Sequence, residues 1–520
     1  MHLFSRQRVR ASKLGHEPFI YSSFDPSLIS LWGMVGSMPL RRRLEQALRR
    51  FDEFTLKILP MKTPHHLVEK YNVAGPRYTS YPTVPYWQEA DFNTAVYLKN
   101  AIDTFKTSNA NQGVSLYIHL PYCESLCTFC ACNRRITRKH SVEARYIAAL
   151  LKEWRMYVNL LAQHSSEPPR IREIHLGGGT PTFFSPEHLT ALINGLFEQA
   201  ERAEGHEFSF EGHPNNTTRE HLQALYDLGF RRVSFGVQDY DAKVQTAIHR
   251  IQPFEQVQRV HDMAREIGYT SISHDLVFGL PHQTIASVEA TIHKTAELAP
   301  DRLAFYSYAH VPWIKGNGQR GFDEADLPSG SVKRDLYELG KDLFDDMGYV
   351  EVGMDHFART TDSLCIAMRE ARLHRNFMGY TETNTQLMIG LGVSSISDAW
   401  SGFAQNEKDL DDYLARIEAD EWPIQRGHLL TDEDLAVRQH ILNIMCRMHT
   451  DWSDEAMRIA ELPEVIARLE EMRVDGLLVL TDNSLTVLES GRPFIRNIAM
   501  AFDVRLWAKQ PETRLFSMMI

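Results

Sequence analysis

Cysteine is scarce in this chain, and the scarcity is the first constraint. Six cysteines in 520 residues are too few for the disulfide framework that staples small secreted domains. Long apolar runs are also missing. None approaches the roughly 18–20 residues that a membrane-spanning helix requires. Basic charge is not in excess: 56 Lys and Arg against 67 Asp and Glu leave a formal net charge of −11. That sign argues against a general nucleic-acid-binding surface. The basic start is not followed by an apolar stretch and a small-residue cleavage site, so no secretory signal is legible. No internal repeat and no low-complexity tract stands out. The remainder is 43% hydrophobic and 24% charged, an ordinary globular composition. At roughly 100–200 residues per domain, the length allows two to four domains, or one large domain with appendages.

The few cysteines are unevenly placed. Cys123, Cys127, Cys130 and Cys132 fall within ten residues, while Cys365 and Cys446 are solitary and read as inert. Such clustering points to a metal site in a reducing compartment, and hence to the cytoplasm. The spacing is C-x3-C-x2-C, then one more Cys after a single residue. Three thiolates on one short loop can hold three irons of a cubic 4Fe–4S cluster and leave the fourth iron open. A structural zinc site closes with four ligands, usually two pairs across a longer loop, and no second pair stands at such a distance. The pattern favours Cys123, Cys127 and Cys130 as cluster ligands over zinc, redox thiols or a local disulfide. Cys132 is surplus to a three-cysteine site. It is either structural or a catalytic side chain acting on substrate.

From about residue 113, short β-rich segments alternate with helical runs. The segments are Ser115–His119, Glu173–Gly177, Glu207–Glu211, Arg232–Gly236, Ser271–Phe278 and Leu303–Tyr308. The helical runs are Ser141–Leu161, Pro186–Ala203, Arg219–Leu228, Phe254–Ile267 and Ile285–Leu298. Repeated strand–helix units imply a parallel sheet. Six units fall short of the eight of a closed TIM barrel, so an open, partial barrel is expected, with its site at the C-terminal strand ends. Residues 331–347 then read as a helix, Tyr349–Met354 as a further strand, and Gly379 to Gly392 as a Gly-rich stretch. Past Leu429 the chain turns to short helices, the first capped by Thr431 with Asp434 as its acidic partner. Leu477–Thr481 and Ser484–Leu488 meet at Asp482–Asn483 as a hairpin. The expected divisions are 1–60, 61–112, 113–325, 326–428 and 429–520. The first is an N-terminal extension with ten basic residues and five acids, read as a transit-like or disordered segment or a mis-called start before Met61. Residues 40–58 within it are expected to form a short amphipathic helix. Residues 61–112 are expected to contribute to the substrate site, and 326–428 to complete the barrel and link it to a C-terminal cap.

The second motif is His175-Leu176-Gly177-Gly178-Gly179-Thr180-Pro181, at the end of the second strand. Glycines there let backbone approach a ligand closely and offer free N–H groups. Other strand ends supply Glu211, Gln238 and Asp275, with Arg250 nearby, a set that suits a polar ligand-binding ring at one barrel mouth.

The C-x3-C-x2-C loop after a first strand, with Phe129 just before the third Cys, resembles the signature of the radical S-adenosylmethionine (SAM) enzymes. The likeness continues in Tyr71 to Thr83 (with Pro76-Arg77-Tyr78-Thr79-Ser80-Tyr81-Pro82-Thr83), Phe235 to Asp239, Asp275 to Pro281, Tyr308 to His310, Gly353 to Ala358, His374 to Phe377 and Arg496 to Met500. Over about residues 62–520 the chain resembles the oxygen-independent coproporphyrinogen III oxidases. The resemblance implies a partial (β/α)6 TIM-like barrel of the radical SAM type with a mostly helical, winged-helix-like C-terminal domain. It implies one 4Fe–4S cluster and two SAM molecules, one-electron cleavage of SAM to a 5′-deoxyadenosyl radical, and oxidative decarboxylation of two propionates of coproporphyrinogen III to vinyl groups. Carried over by position, Phe129, Gly179, Thr180, Gln238, Arg250, Asp275 and Ala309 contact one SAM, and Tyr117, Gly178, Glu211 and Ile396 the other. A monomer served by an electron donor such as flavodoxin or ferredoxin is also implied.

His213 stands where many members of the family have an acid. The substrate has four carboxylates, and Arg77, Arg134 and Arg135 are candidates to meet them by position only. Two other readings use the same sequence: a haem-binding or trafficking protein that keeps the cluster without turnover, and a DNA-interacting regulator built on the C-terminal domain. Cys132 and the segment Arg77 to Pro82 favour the enzyme over the first, and the acidic balance disfavours the second.

Overall fold

Strict alternation of side chains builds the centre of the molecule. In Ser115-Leu116-Tyr117-Ile118-His119-Leu120 every second residue is apolar, and the same holds for Glu173 to Leu176, Glu207 to Glu211 and Arg232 to Phe235. Successive side chains on a strand point to opposite faces, so each segment has one apolar and one polar face. The computed structural model describes residues 63–312, 319, 321–511 and 515–519. The expectations for residues 1–60, including the helix at 40–58, lie outside the described residues.

All six expected strands form. β1 (Val114–Leu120), β2 (Arg170–Gly178), β3 (Glu201–Gly212), β4 (Phe230–Gln238), β5 (Ser271–Phe278) and β6 (Arg302–Ser307) run parallel, neighbour to neighbour in chain order. β7 (Tyr349–Gly353) and β8 (His356–Arg359) extend the sheet antiparallel beyond β6. β9 (Leu387–Leu391) pairs parallel with β1 on the other side, followed outward by antiparallel β10 (Ile396–Asp398), β11 (Gly402–Asn406) and β12 (Ile424–Leu429). The Gly-rich stretch from Gly379 thus contains a seventh parallel strand.

The apolar face packs outward. Leu116, Ile118, Ile174, Leu176, Phe208, Phe210, Val233 and Phe235 are buried in one core with the covering helices, among them Glu143–Ala162, Pro186–Leu196 and Arg219–Asp227. Helices Phe254–Ile267 and Ile285–Leu298 occupy the expected bounds. One helix is shorter than its pattern: Pro186–Ala203 ends at Leu196, because Phe197 packs on Phe208 and the Arg202 guanidinium stacks on Phe197, turning the chain into β3 at Glu201. Beyond Leu429, Thr431 and Asp434 form the expected capping box at the start of Asp432–Arg447. Leu478–Leu480 and Ser484–Val487 form the hairpin, and His449–Asp451 adds a third antiparallel strand. The N-terminal segment joins this region's core, where Leu67, Val68, Tyr71, Tyr78 and Tyr81 pack with Val437, Ile441, Phe494 and Ile498.

Candidate active site

The polar face of the strands lines the bore of the partial barrel. At its lower end charges are paired: Arg232 with Glu207, Arg302 with Asp362 at 2.7 Å, and Glu173 with the hydroxyls of Ser115, Thr381 and Thr383. Burying a charge is costly unless it is paired, and these partners meet that demand. Higher up, Tyr117 stacks on His175, whose Nδ1 lies 2.9 Å from the Ser209 hydroxyl. At the upper end stand Glu211, Asp275 and Tyr306. The Ser234 hydroxyl donates to Asp275 at 2.8 Å. Burial raises the Asp275 carboxyl to about 7, with Glu211 adding to the rise and Arg250 opposing it.

The cysteine loop leaves the top of β1 and is anchored on both sides. Thr128 donates from its N–H to the Ile248 carbonyl and from its hydroxyl to the Ala247 carbonyl, both at 2.9 Å. Gln319 donates to the carbonyls of Phe129 (3.1 Å) and Ala309 (2.8 Å), tying the loop to the chain beyond β6. His119 Nε2 donates to the Asn133 carbonyl at 2.9 Å, which leaves Nδ1 to accept from the Tyr117 hydroxyl at 3.1 Å. Burial lowers the His119 pKa and keeps the ring neutral.

None of the four loop cysteines is in a disulfide. Cys123 Sγ lies 3.3 Å from the Thr180 hydroxyl, and burial raises its thiol to about 11. The Cys132 thiol hydrogen-bonds Cys130, which lowers Cys130 to about 6 and raises Cys132. Arg250 reaches toward Cys127 Sγ at 3.8 Å and donates to the Gly236 carbonyl at 2.6 Å. Its Nε is buried without a partner. Beside it, burial and Arg250 push the His213 pKa well down, so this residue is a neutral neighbour of the guanidinium.

The glycine motif works differently from its sequence reading. Two of its N–H groups are already engaged: Gly179 donates to the Leu120 carbonyl at 2.9 Å and Thr180 to the Tyr122 carbonyl at 3.0 Å. A Cβ at Gly179 would lie 2.6 Å from the Pro121 carbonyl, and one at Gly178, where φ is +114°, 2.8 Å from the His119 ring. The glycines let the turn pack against the base of the cysteine loop.

The other expected residues gather at the same end. Gln238 closes β4 with φ of +68°, uncommon for a residue with a side chain. A backbone outlier of this kind fits a functional position. Ile396 crosses Gly390, the β9 residue in register with Tyr117. Of the arginines, Arg77 donates to Asp355 (2.8 Å) and to the carbonyl of Ser307 at the end of β6, and lines a cavity with Lys333, Arg334, Arg492 and Arg496. Arg134 instead donates to the Cys132 carbonyl, and Arg135 is exposed on a short strand outside the bore. Sequence reasoning named His175 within the second motif but missed Thr128, His119 and Gln319. The polar alternation of the first strand marks His119, whereas Thr128 and Gln319 leave no local signal.

Among the described residues, no three His, Cys, Asp or Glu side chains converge to hold a single ion. A cubane makes a different demand, since each iron takes its own thiolate. The thiol set, the buried Arg250 Nε and the turn that admits no Cβ fit a cluster with an anionic ligand beside it.

The radical SAM superfamily model matches residues 117–295. A curated relative from Helicobacter pylori (strain J99), an oxygen-independent coproporphyrinogen III oxidase, is 39% identical over 443 residues, covering 84% of this chain and 95% of the relative. The oxygen-independent coproporphyrinogen III oxidase of Escherichia coli (strain K12) is 37% identical over 448 residues, 85% of this chain and 95% of its own. This chain belongs to the oxygen-independent coproporphyrinogen III oxidase family. The solved coproporphyrinogen III oxidase of Escherichia coli, described as a radical SAM enzyme, superposes with a TM-score of 0.76 at 36% identity, covering 82% of this chain and 97% of that one. The family's radical SAM fold is thus the fold observed here, with the cysteine loop at the top of β1.

Proposed function

We propose that this chain is an enzyme of anaerobic porphyrin and haem biosynthesis, converting coproporphyrinogen III to protoporphyrinogen IX by oxidative decarboxylation of two propionates. The observation that carries this reading is 39% identity to a coproporphyrinogen III oxidase over 95% of that relative's length. A 4Fe–4S cluster and SAM held here would supply one-electron cleavage of SAM, with each SAM consumed to methionine and 5′-deoxyadenosine as the net two-electron oxidant of one propionate.

The chain's own residues prepare that chemistry. Cys123, Cys127 and Cys130 are the cluster ligands in this reading, and Thr128 and Gln319 fix their loop against two sides of the barrel. Arg250, its Nε unsatisfied, suits a SAM carboxylate, since charge-assisted pairs with a guanidinium are the strong ones. Gln238 and Asp275 offer polar atoms to ribose hydroxyls, Phe129 offers apolar surface to adenine, and Gly179, Thr180 and Ala309 border the same SAM. Tyr117, Gly178, Glu211 and Ile396 border a second. Cys132 stands free of a three-cysteine site and touches Cys130, in reach of a role toward substrate.

A substrate with four carboxylates needs local positive charge on a chain of net charge −11. The cations gathered round one small cavity beside the ends of β5 and β6, Arg77, Lys333, Arg334, Arg492 and Arg496, are this reading's candidates to meet it, with Arg77, Arg334 and Arg492 paired to Asp355, Glu338 and Glu489 in the chain alone. Residues 63–112 and the C-terminal helices both contribute to that wall. A monomer is part of this reading, supported by its resemblance to the family. A cytoplasmic setting fits six unpaired thiols, and no helix among the described residues is long and apolar enough to cross a membrane.

The deciding test is anaerobic turnover. Reconstituted protein with SAM, a reductant and coproporphyrinogen III is expected to yield protoporphyrinogen IX with loss of two CO2. Cleavage of SAM without any vinyl product would refute the decarboxylase reading and favour the trafficking one.

A further inference from the structure

The segment that follows the cysteine loop is used neither by the bore nor by the core. Residues 134–139 read Arg-Arg-Ile-Thr-Arg-Lys: four cations, no acid, in a chain with an overall excess of eleven negative charges. Arg135, Ile136, Arg138 and Lys139 are exposed. Among the described residues, Arg135, Arg138 and Lys139 pair with no carboxylate. The acids near the strip are Glu124, which lies 3.8 Å from His140, Glu143, which is buried against His140 and His188, and those opening the helix Leu410–Glu418, where Asn133 donates to the Lys408 carbonyl and Asp411 and Arg135 both act on Tyr122.

The strip is held against the first cysteine. Tyr122–Cys123 pairs in parallel with Arg135–Ile136, Cys123 standing opposite Ile136. Arg135 donates to the Pro121 carbonyl at 2.8 Å and Thr137 to the Cys123 carbonyl at 2.9 Å. Neighbouring strands lie about 4.8 Å apart, so the outer surface of this two-stranded ladder is one strand's width from a cluster ligand. Two large apolar side chains are exposed in this stretch, Leu126 on the cysteine loop and Ile136 on the second strand of the ladder. Exposed apolar side chains beside cations that pair with no carboxylate, one strand's width from a cluster ligand, make a face suited to an acidic protein.

We infer that residues 134–139, with Leu126, form the docking site for the electron donor, a small acidic one-electron carrier protein of the flavodoxin or ferredoxin class. This inference rests on the cluster assignment above. In each docking event the reduced carrier loses one electron and the cluster gains it, with no proton or group transferred. The cations steer the carrier against the repulsion of the acidic whole, an effect that added salt screens.

The test compares three forms of the cluster-loaded enzyme: wild type, Arg138→Glu/Lys139→Glu, and a control with the same charge change elsewhere, Lys106→Glu/Arg155→Glu. Anaerobic calorimetry measures the affinity of each for flavodoxin at low and at high salt. The strip variant is expected to bind about tenfold more weakly than wild type at low salt, with the gap closing at high salt, while the control stays within about twofold. Cluster reduction by flavodoxin should slow in the strip variant, and reduction by dithionite should not. Equal losses in strip variant and control, or no flavodoxin binding by wild type, would overturn the inference. Binding of porphyrinogen at the strip in place of the carrier would overturn it too. Failure of dithionite to drive SAM cleavage in wild type would instead strike the function proposed above, leaving the binding comparison to stand by itself.

Discussion

The half-buried carboxyl of Asp275 ties the bore's chemistry to a measurable free energy. In the folded chain its pKa is about 7 against an ordinary 3.8, a rise caused first by burial and then by Glu211. At 1.36 kcal/mol per unit, the folded state prefers the protonated form by about 4 kcal/mol. The folded pKa is the higher one, so this group's contribution to stability is complete below pH 3.8 and is lost as pH rises through about 7. Asp275→Asn removes the charge and keeps an oxygen to accept from Ser234, 2.8 Å away. In urea titrations of the cluster-free chain, wild type is therefore expected to lose about 2 kcal/mol relative to the variant between pH 5.5 and pH 8. The variant should be the more stable form at pH 8.

Function should move the opposite way. A carboxylate that accepts from ribose hydroxyls must be ionised, so SAM affinity of the loaded wild-type enzyme should weaken about tenfold from pH 8 to pH 6. Asp275→Asn should bind SAM weakly and without this pH dependence. Glu211→Gln removes a like charge from beside Asp275 and should shift the midpoint to lower pH. A variant less stable than wild type at pH 8, or a SAM affinity flat from pH 6 to pH 8 in wild type, would refute the reasoning.

Two further outcomes follow from the loop and the turn. Cys127→Ala should abolish iron incorporation while Cys132→Ala leaves it intact, as read by iron content after reconstitution. Gly179→Ala places a Cβ 2.6 Å from the Pro121 backbone, and the resulting overpacking should cost about 1–3 kcal/mol. Thermal unfolding of the cluster-free chain should register that loss, and reconstitution should give less iron per chain.

Four of the strands were legible in the sequence because polar and apolar residues alternate along them, the two at Ser271 and Leu303 because their β-rich runs fall between helical stretches, and four of the covering helices because their apolar spacing matched one buried face. The cysteine loop was legible because four of six cysteines fall together. Long-range geometry was not. Thr128 is one more small polar residue until Ala247 and Ile248 are brought beside it across 119 residues of chain. The strand Leu387–Leu391 was masked by surrounding glycines. It forms because β1 presents a parallel partner and because Glu153, buried, accepts from Gly392 at 2.8 Å, Asn406 at 2.6 Å and Tyr413 at 2.7 Å. The glycine turn was read for its N–H groups, but which carbonyls take them depends on where Leu120 and Tyr122 lie.

Parallel strands covered on both faces usually read as near-continuous apolar runs, and a closed barrel fills its interior with layers of branched side chains. Here only the outer face follows that rule. Leu116, Ile118, Leu176, Phe208, Phe210 and Phe235 are fully buried against helices, each contributing about 1.5–3 kcal/mol. The inner face carries Tyr117, His175, Glu211, Ser234, Asp275 and Tyr306, all partly exposed to the bore. Stability and chemistry are therefore carried by alternate residues of the same strands. A truncation at Phe210 opens a cavity in the outer core and should cost about 3–5 kcal/mol, whereas a change at its neighbour Glu211 leaves that core untouched and alters the field felt by Asp275. Since one face fixes the barrel and the other lines its bore, the polar bore is the feature that lets an incomplete barrel admit charged ligands beside a redox centre without unfolding around them.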